Sequence, residues 1–128
     1  MLTWLAVLVS GALGSAARHG VNIVAPRLFG SATPLATAAV NMIGALVIGV
    51  LAGALASQRL SMSVNERALV FTGLLGGFTT FSSFMLDGLV LWQAGSTSKA
   101  LANLIGQLLL GCVLVYGGYR LGLGAAVD

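Results

Sequence analysis

Apolar residues fall in four long blocks along this chain, with short polar connectors between them. A helix that crosses the hydrocarbon core of a bilayer needs about 20 mostly apolar residues. Four segments meet that length: residues 2–24, stopping before Pro26, then 33–56, 66–92 and 99–123. The connectors contain "PRLFGSATP", "SQRLSMSVNE" and "QAGSTSK", rich in turn-forming and polar residues. The pattern predicts an all-α integral membrane protein, one four-helix transmembrane domain over residues 1–128. No soluble domain, low-complexity tail or internal duplication stands out.

One polar interruption lies inside a block. Residues 76–84 read "GGFTTFSSF", with apolar sequence on both sides. Gly76 and Gly77 lie ten residues or so past Glu66, which at about 1.5 Å per residue puts them near mid-membrane. Paired glycines followed by β-branched threonines make a poor helix, so the third helix is expected to break here. Non-helical backbone at that depth is tolerated only where it is buried in protein or lines an aqueous site. Broken membrane helices expose carbonyls that hold cations and N–H groups that meet anions. An unbroken helix, its hydroxyls bonding back to its own carbonyls, is the plainer alternative.

Composition sharpens this picture. The chain is 58% hydrophobic and only 7% charged, far below the quarter or so that a water-facing surface carries. Its net charge of +3 comes from six scattered basic residues, so a nucleic-acid partner is not expected. The single cysteine, Cys112, excludes an internal disulfide and gives no metal spacing. Set in an apolar run, it is expected to serve packing. The amino end has an apolar run followed by "SAA", but no basic segment before it; the segment is therefore expected to stay as the first span.

Charge distribution bears on orientation. With four spans, Arg59, Arg67 and Arg120 fall on one side, against Arg27, Lys99 and the nearby Arg18 on the other. A chain so evenly balanced suits insertion either way and an antiparallel homodimer. A single orientation fixed by other features is the competing expectation.

In lipid, helices associate through close backbone approach at small residues. Thr37, Asn41, Ala45, Gly49 and Gly53 form one i, i+4 row on the second helix. Gly11 and Ser15, with Gly14 beside them, mark the first helix; Asn103, Gln107 and Gly111 mark the fourth. The glycines read as packing. Asn41 and Gln107 lie within their spans and must face protein or water; an interhelical hydrogen bond and a pore lining both satisfy that. Asn103, nearer its helix end, also suits the membrane interface. Arg18 can snorkel to headgroups or stand at an anion vestibule, and His19 has no partner that would make it a ligand. Phe81 and Phe84, three apart, share a face, and a phenyl ring has an electron-poor edge. Aromatics are commonly core; beside Asn41 and a broken helix they suggest an anion path. Asp87 is the one acid placed at depth.

"GLLGGFTTFSSFMLD" resembles the signature of the small fluoride channels of the CrcB/Fluc family. "GALGSAAR" is similar to the family's helix-one motif, and "NMIGALVIG" to its helix-two motif. The likeness extends over all four spans, and the third-helix motif is the specific one. It implies dual-topology homodimers with two antiparallel pores that export fluoride passively, at the plasma membrane (the inner membrane in bacteria). By the same resemblance, the fluoride path takes Asn41, Phe81, Phe84 and Ser83, with Thr80, Gln107 and Asn103 alongside, and Arg18 becomes the vestibule arginine. A structural Na+ at the dimer centre would be held by the backbone carbonyls of Gly76 and Thr79 from both copies. The sequence departs from the family at Asp87, where glutamate is common, at Phe78, often aliphatic, and in the helix-four track Asn103, Gln107 and Gly111, where the family varies among tyrosine, asparagine and serine. A small dual-topology proton-coupled multidrug exporter is the alternative function, but it needs a carboxylate in the first helix, which has none. A non-transporting assembly subunit is the third. No enzymatic chemistry is expected.

Overall fold

The computed structural model describes residues 2–30 and 33–124, and these are helical apart from short connectors. We number the helices α1 (Leu2–Phe29), α2 (Thr33–Ala56), α3 (Val64–Gln93) and α4 (Thr97–Leu123). Three of them, α2, α3 and α4, are long and apolar enough to cross a membrane. α1 is longer than the expected first span. It continues through Pro26 to Phe29 instead of stopping at residue 24. Proline's fixed φ is helical, and so near a helix end its missing N–H forfeits a single ladder bond. The apolar run of α1 is also diluted past Ala17 by Arg18, His19, Asn22 and Arg27, so α1 is not among the three.

The helices run up and down. Thr3 on α1 bonds Asn65 on α3, and Gly11 sits against Gly77, so these two helices lie parallel. Gly118 rests on Leu46 and Gly122 on Val50, which makes α2 and α4 parallel as well. The α2–α4 contact is the most extensive, α1 lies along the first half of α3, and the second half of α3 lies along α4. Trp4 and Trp92 are exposed at opposite ends of the bundle, as expected of aromatic side chains at the two membrane interfaces. Long apolar side chains such as Leu8, Ile105 and Val113 face outward, and Val40 is the one fully buried large side chain among the described residues.

Close backbone approach replaces a large core. A Cβ at Gly49 or Gly53 would collide with the α4 carbonyls of Val115 or Tyr119. A Cβ at Gly118 or Gly122 would collide with the α2 carbonyls of Leu46 or Val50. The small-residue row read from the sequence is thus half of a reciprocal seam. Gly14 and Gly77 do the same between α1 and α3, where a Cβ would strike the carbonyl of Leu74 or of Gly11.

α3 is irregular. Ser63 caps it: its hydroxyl accepts from Glu66 N–H at 3.3 Å, while Ser63 N–H donates to the Glu66 carboxylate at 2.7 Å. This capping box was legible as S-x-x-E and moves the helix start to Val64. A π-helical stretch follows over Ala68–Leu75. Residues four apart drift by roughly 40° around an α-helix; the wider π turn reduces that drift and brings Gly73 and Gly77 onto the same flank of α1. Gly76–Phe78 are α-helical, so the paired glycines are not where helical geometry stops. It stops at Thr79 (φ −81°, ψ 163°) and Thr80 (φ −152°, ψ 120°), both extended, before Phe81–Gln93 resume the α-helix. Gly77 serves close packing instead: a Cβ there would strike the Gly11 carbonyl.

Candidate functional site

The extended pair Thr79–Thr80 reorganises the hydrogen bonds around it. In an uninterrupted helix Thr80 N–H would return to the Gly76 carbonyl. Here it donates to Asn41 Oδ1 at 2.9 Å, and Asn41 Nδ2 donates to the Thr80 carbonyl at 3.0 Å. Ser83 N–H, which would return to Thr79, instead donates to the Thr80 hydroxyl at 3.2 Å. Thr80 is thus the N-cap of the second half of α3. The carbonyls of Gly76 and Thr79 are thereby released from the helical ladder. The Thr79 hydroxyl is committed to Leu75 O at 2.9 Å.

The spacing of "NMIG" explains how α2 reaches this point. Asn41 and Gly44, three apart, share a face. Asn41 clasps Thr80 while the methyl of Thr79 fills the space a Cβ on Gly44 would need.

A polar column extends from the clasp. Asn41 Nδ2 also donates to Gln107 Oε1 at 3.3 Å, and Gln107 Nε2 donates to Asn103 Oδ1 at 2.8 Å. The Thr80 hydroxyl donates to Ser83 Oγ at 3.1 Å, with Ser82 Oγ 3.5 Å away. Asn103 is part of the column, and its Nδ2 is buried without a partner among the described residues, as is Asp87 Oδ2. Asp87 itself is buried.

Phe81 and Phe84 stand beside the column, their ring centroids 5.9 Å apart and tilted by 58°. Phe84 is 9% exposed and Phe81 73%. Both line a mainly apolar groove of about 580 Å³ that also takes in Asn41, Gln107 and Gly111. Cys112, expected to serve packing, lines it too and is exposed in the single chain. Asn41, Thr80, Ser83, Phe81, Phe84, Gln107 and Asn103 thus come together. Arg18 does not join them, for α1 packs on α2 and on the first half of α3.

A family model described as CrcB-like protein, Camphor Resistance (CrcB), matches residues 5–119. The chain belongs to this CrcB-like family. A protein of Paracoccus denitrificans named Fluoride-specific ion channel FluC is 45% identical over 95% of this chain and 95% of its own. A protein of the same name from Methylobacillus flagellatus is 46% identical over 90% of each chain, and Fluoride-specific ion channel FluC 2 of Nitrobacter hamburgensis is 40% identical over 94% and 96%. In this CrcB-like chain the clasp and the column bring α2 and α4 to the segment that carries the third-helix motif. Sequence reasoning found the column's members but not its wiring. Gly44 was missed, although its place three residues after Asn41 was a usable signal.

Proposed function

We propose that this chain is a fluoride-selective channel that lets fluoride leave the cell passively and so limits its toxicity. The observation that carries the reading is likeness over nearly the whole chain to proteins named fluoride-specific ion channels, together with a column of hydroxyls and amides joining α2, α3 and α4. Fluoride is small and strongly hydrated, so its path must replace water with hydrogen-bond donors. The hydroxyls of Thr80 and Ser83 rotate to donate, and the ring edges of Phe81 and Phe84 carry partial positive charge. Both Asn41 amide hydrogens have partners; the longer bond, to Gln107, is the one the ion displaces.

The working unit is an antiparallel homodimer in the lipid of the bacterial inner membrane. Phe81, three-quarters exposed beside an apolar groove, calls for a cover that a second copy supplies. Three basic residues on each side of the four spans leave orientation unbiased, and Arg18 belongs to the vestibule on one side.

The released carbonyls of Gly76 and Thr79 fit a structural cation. Two from each copy give four oxygens, and oxygen ligands without a carboxylate suit a hard monovalent ion such as Na+. Bound there, the ion supplies fixed positive charge that favours nearby anions.

The test is efflux from liposomes holding the purified protein. Fluoride should leave without a proton gradient, and chloride should not follow at a comparable rate. Drug flux driven by protons, or no fluoride flux at all, would overturn the proposal.

A further inference from the structure

The amides of the column are wired in one direction. Asn41 cannot turn over, because Thr80 N–H requires an oxygen and the Thr80 carbonyl requires an N–H. Its remaining hydrogen meets Gln107 Oε1, so Gln107 Nε2 faces the other way and donates to Asn103 Oδ1. Every amide donates onward, and the far end of the chain is Asn103 Nδ2. That atom and Asp87 Oδ2, a donor and an acceptor, are the two buried side-chain atoms without a hydrogen-bond partner among the described residues.

They lie on the same flank. The second half of α3 and α4 run antiparallel, touching where Gly88 meets Leu104. One step back from each contact residue turns about 100°, and in an antiparallel pair both turns lead to the same side. That side is occupied by α2, because Gln107, one turn from Asn103, bonds Asn41 there. Phe84, three residues before Asp87, lines the same groove as Asn41 and Gln107. A single water between Asn103 and Asp87 accepts from one and donates to the other, completing both. An anion would satisfy Asn103 alone and face the carboxyl oxygens.

We infer that Asp87 is a positioning residue: through one bridging water it receives the amide hydrogen of Asn103 and fixes which way Asn103 and Gln107 face along the fluoride path. Asn41 sets the chain from one end; Asp87 holds it at the other. Without that hold Asn103 turns freely and presents its oxygen to the passing anion. The inference rests on the channel reading above.

The experiment compares fluoride efflux and melting temperature for the wild type, Asp87→Leu, Asp87→Asn, Asn103→Asp and the double exchange Asp87→Asn with Asn103→Asp. Asp87→Leu, which offers no acceptor, should lower flux about tenfold, the scale of one buried polar group left unpaired. Asp87→Asn, whose amide oxygen still accepts, should retain most of it. Asn103→Asp sets two carboxyl groups against each other and should lower both flux and melting temperature; the double exchange should recover both. An Asp87→Asn as inactive as Asp87→Leu, or a double exchange no better than Asn103→Asp in either measurement, overturns the inference. If the wild type passes no fluoride, the channel reading fails, and the melting temperatures still decide whether Asp87 and Asn103 are partners.

Discussion

Asn41 and Thr80 hold each other through a reciprocal pair of hydrogen bonds, amide to carbonyl at 3.0 Å and backbone N–H to amide oxygen at 2.9 Å. An asparagine side chain here completes a backbone that helical geometry has abandoned. Its role precedes any contact with an ion, because the column begins from this clasp.

Replacing Asn41 tests that order of roles. Asn41→Asp keeps an acceptor for Thr80 N–H but loses the donors to the Thr80 carbonyl and Gln107, and sets an acceptor in the anion's path. Fluoride efflux should fall to the background leak. Asn41→Leu should also destabilise the fold, by roughly 1–3 kcal/mol for each buried polar group it leaves unpaired. Undiminished flux in folded Asn41→Asp would remove this residue from the path.

The glycine seam predicts a contrast between neighbours. A Cβ at Gly118 would strike the Leu46 carbonyl, whereas one at Gly117 has nothing within 4 Å. Gly118→Ala should destabilise by about 1–3 kcal/mol, as overpacking does. Gly117→Ala should leave the melting temperature of the detergent-solubilised protein unchanged or raise it. Equal effects at the two positions would contradict the seam.

Withdrawing sodium tests the released carbonyls. Prolonged purification without sodium should lower fluoride flux, and restoring sodium should bring it back. Thr79→Ser should respond as the wild type does, because the Thr79 hydroxyl already bonds Leu75 and is no ligand. Gly76→Val, with a restricted backbone beside the extended pair, should lose the sodium response along with flux. A protein indifferent to sodium would leave those carbonyls without a cation.

Orientation can be forced. Two or three lysines added to the loop between α2 and α3 should bias every copy one way and abolish flux, since opposed copies could no longer meet. Accessibility labelling of the wild type should find its loops on both sides of the membrane; labelling on one side only would sink the antiparallel arrangement.

The helices were legible because lipid demands long apolar runs and tolerates few exceptions. α2 matches its sequence bounds to the residue, and the stripe through Gly49 and Gly53 read correctly as packing. What escaped lay in competition between local and tertiary effects. Pro26 reads as a stop, yet its fixed φ suits the helix it was expected to end. Gly76 and Gly77 read as the point of breakage by propensity, but both are helical, Gly77 packed tightly against α1, and Thr79 and Thr80 are the extended pair. The amides Asn41, Gln107 and Asn103 were visible as polar residues in oily helices. Their head-to-tail order was not, for it depends on which way each side chain turns. Asp87 read as the one acid at depth, but that its Oδ2 is buried without a partner among the described residues depends on the packing around it.

The interlocked glycines also limit how this molecule can move. Where the carbonyls of α2 rest against the α carbons of α4, with no side chain between them, neither helix can slide or tilt without steric collision. That pair makes a poor lever. A gate beside it is better made of rotors: hydroxyls swinging about a single bond and phenyl rings turning in place. A mechanism of that kind works on the nanosecond scale of side-chain torsions rather than the slower scale of domain rocking, and it suits a passage that only has to hand a small ion from one donor to the next.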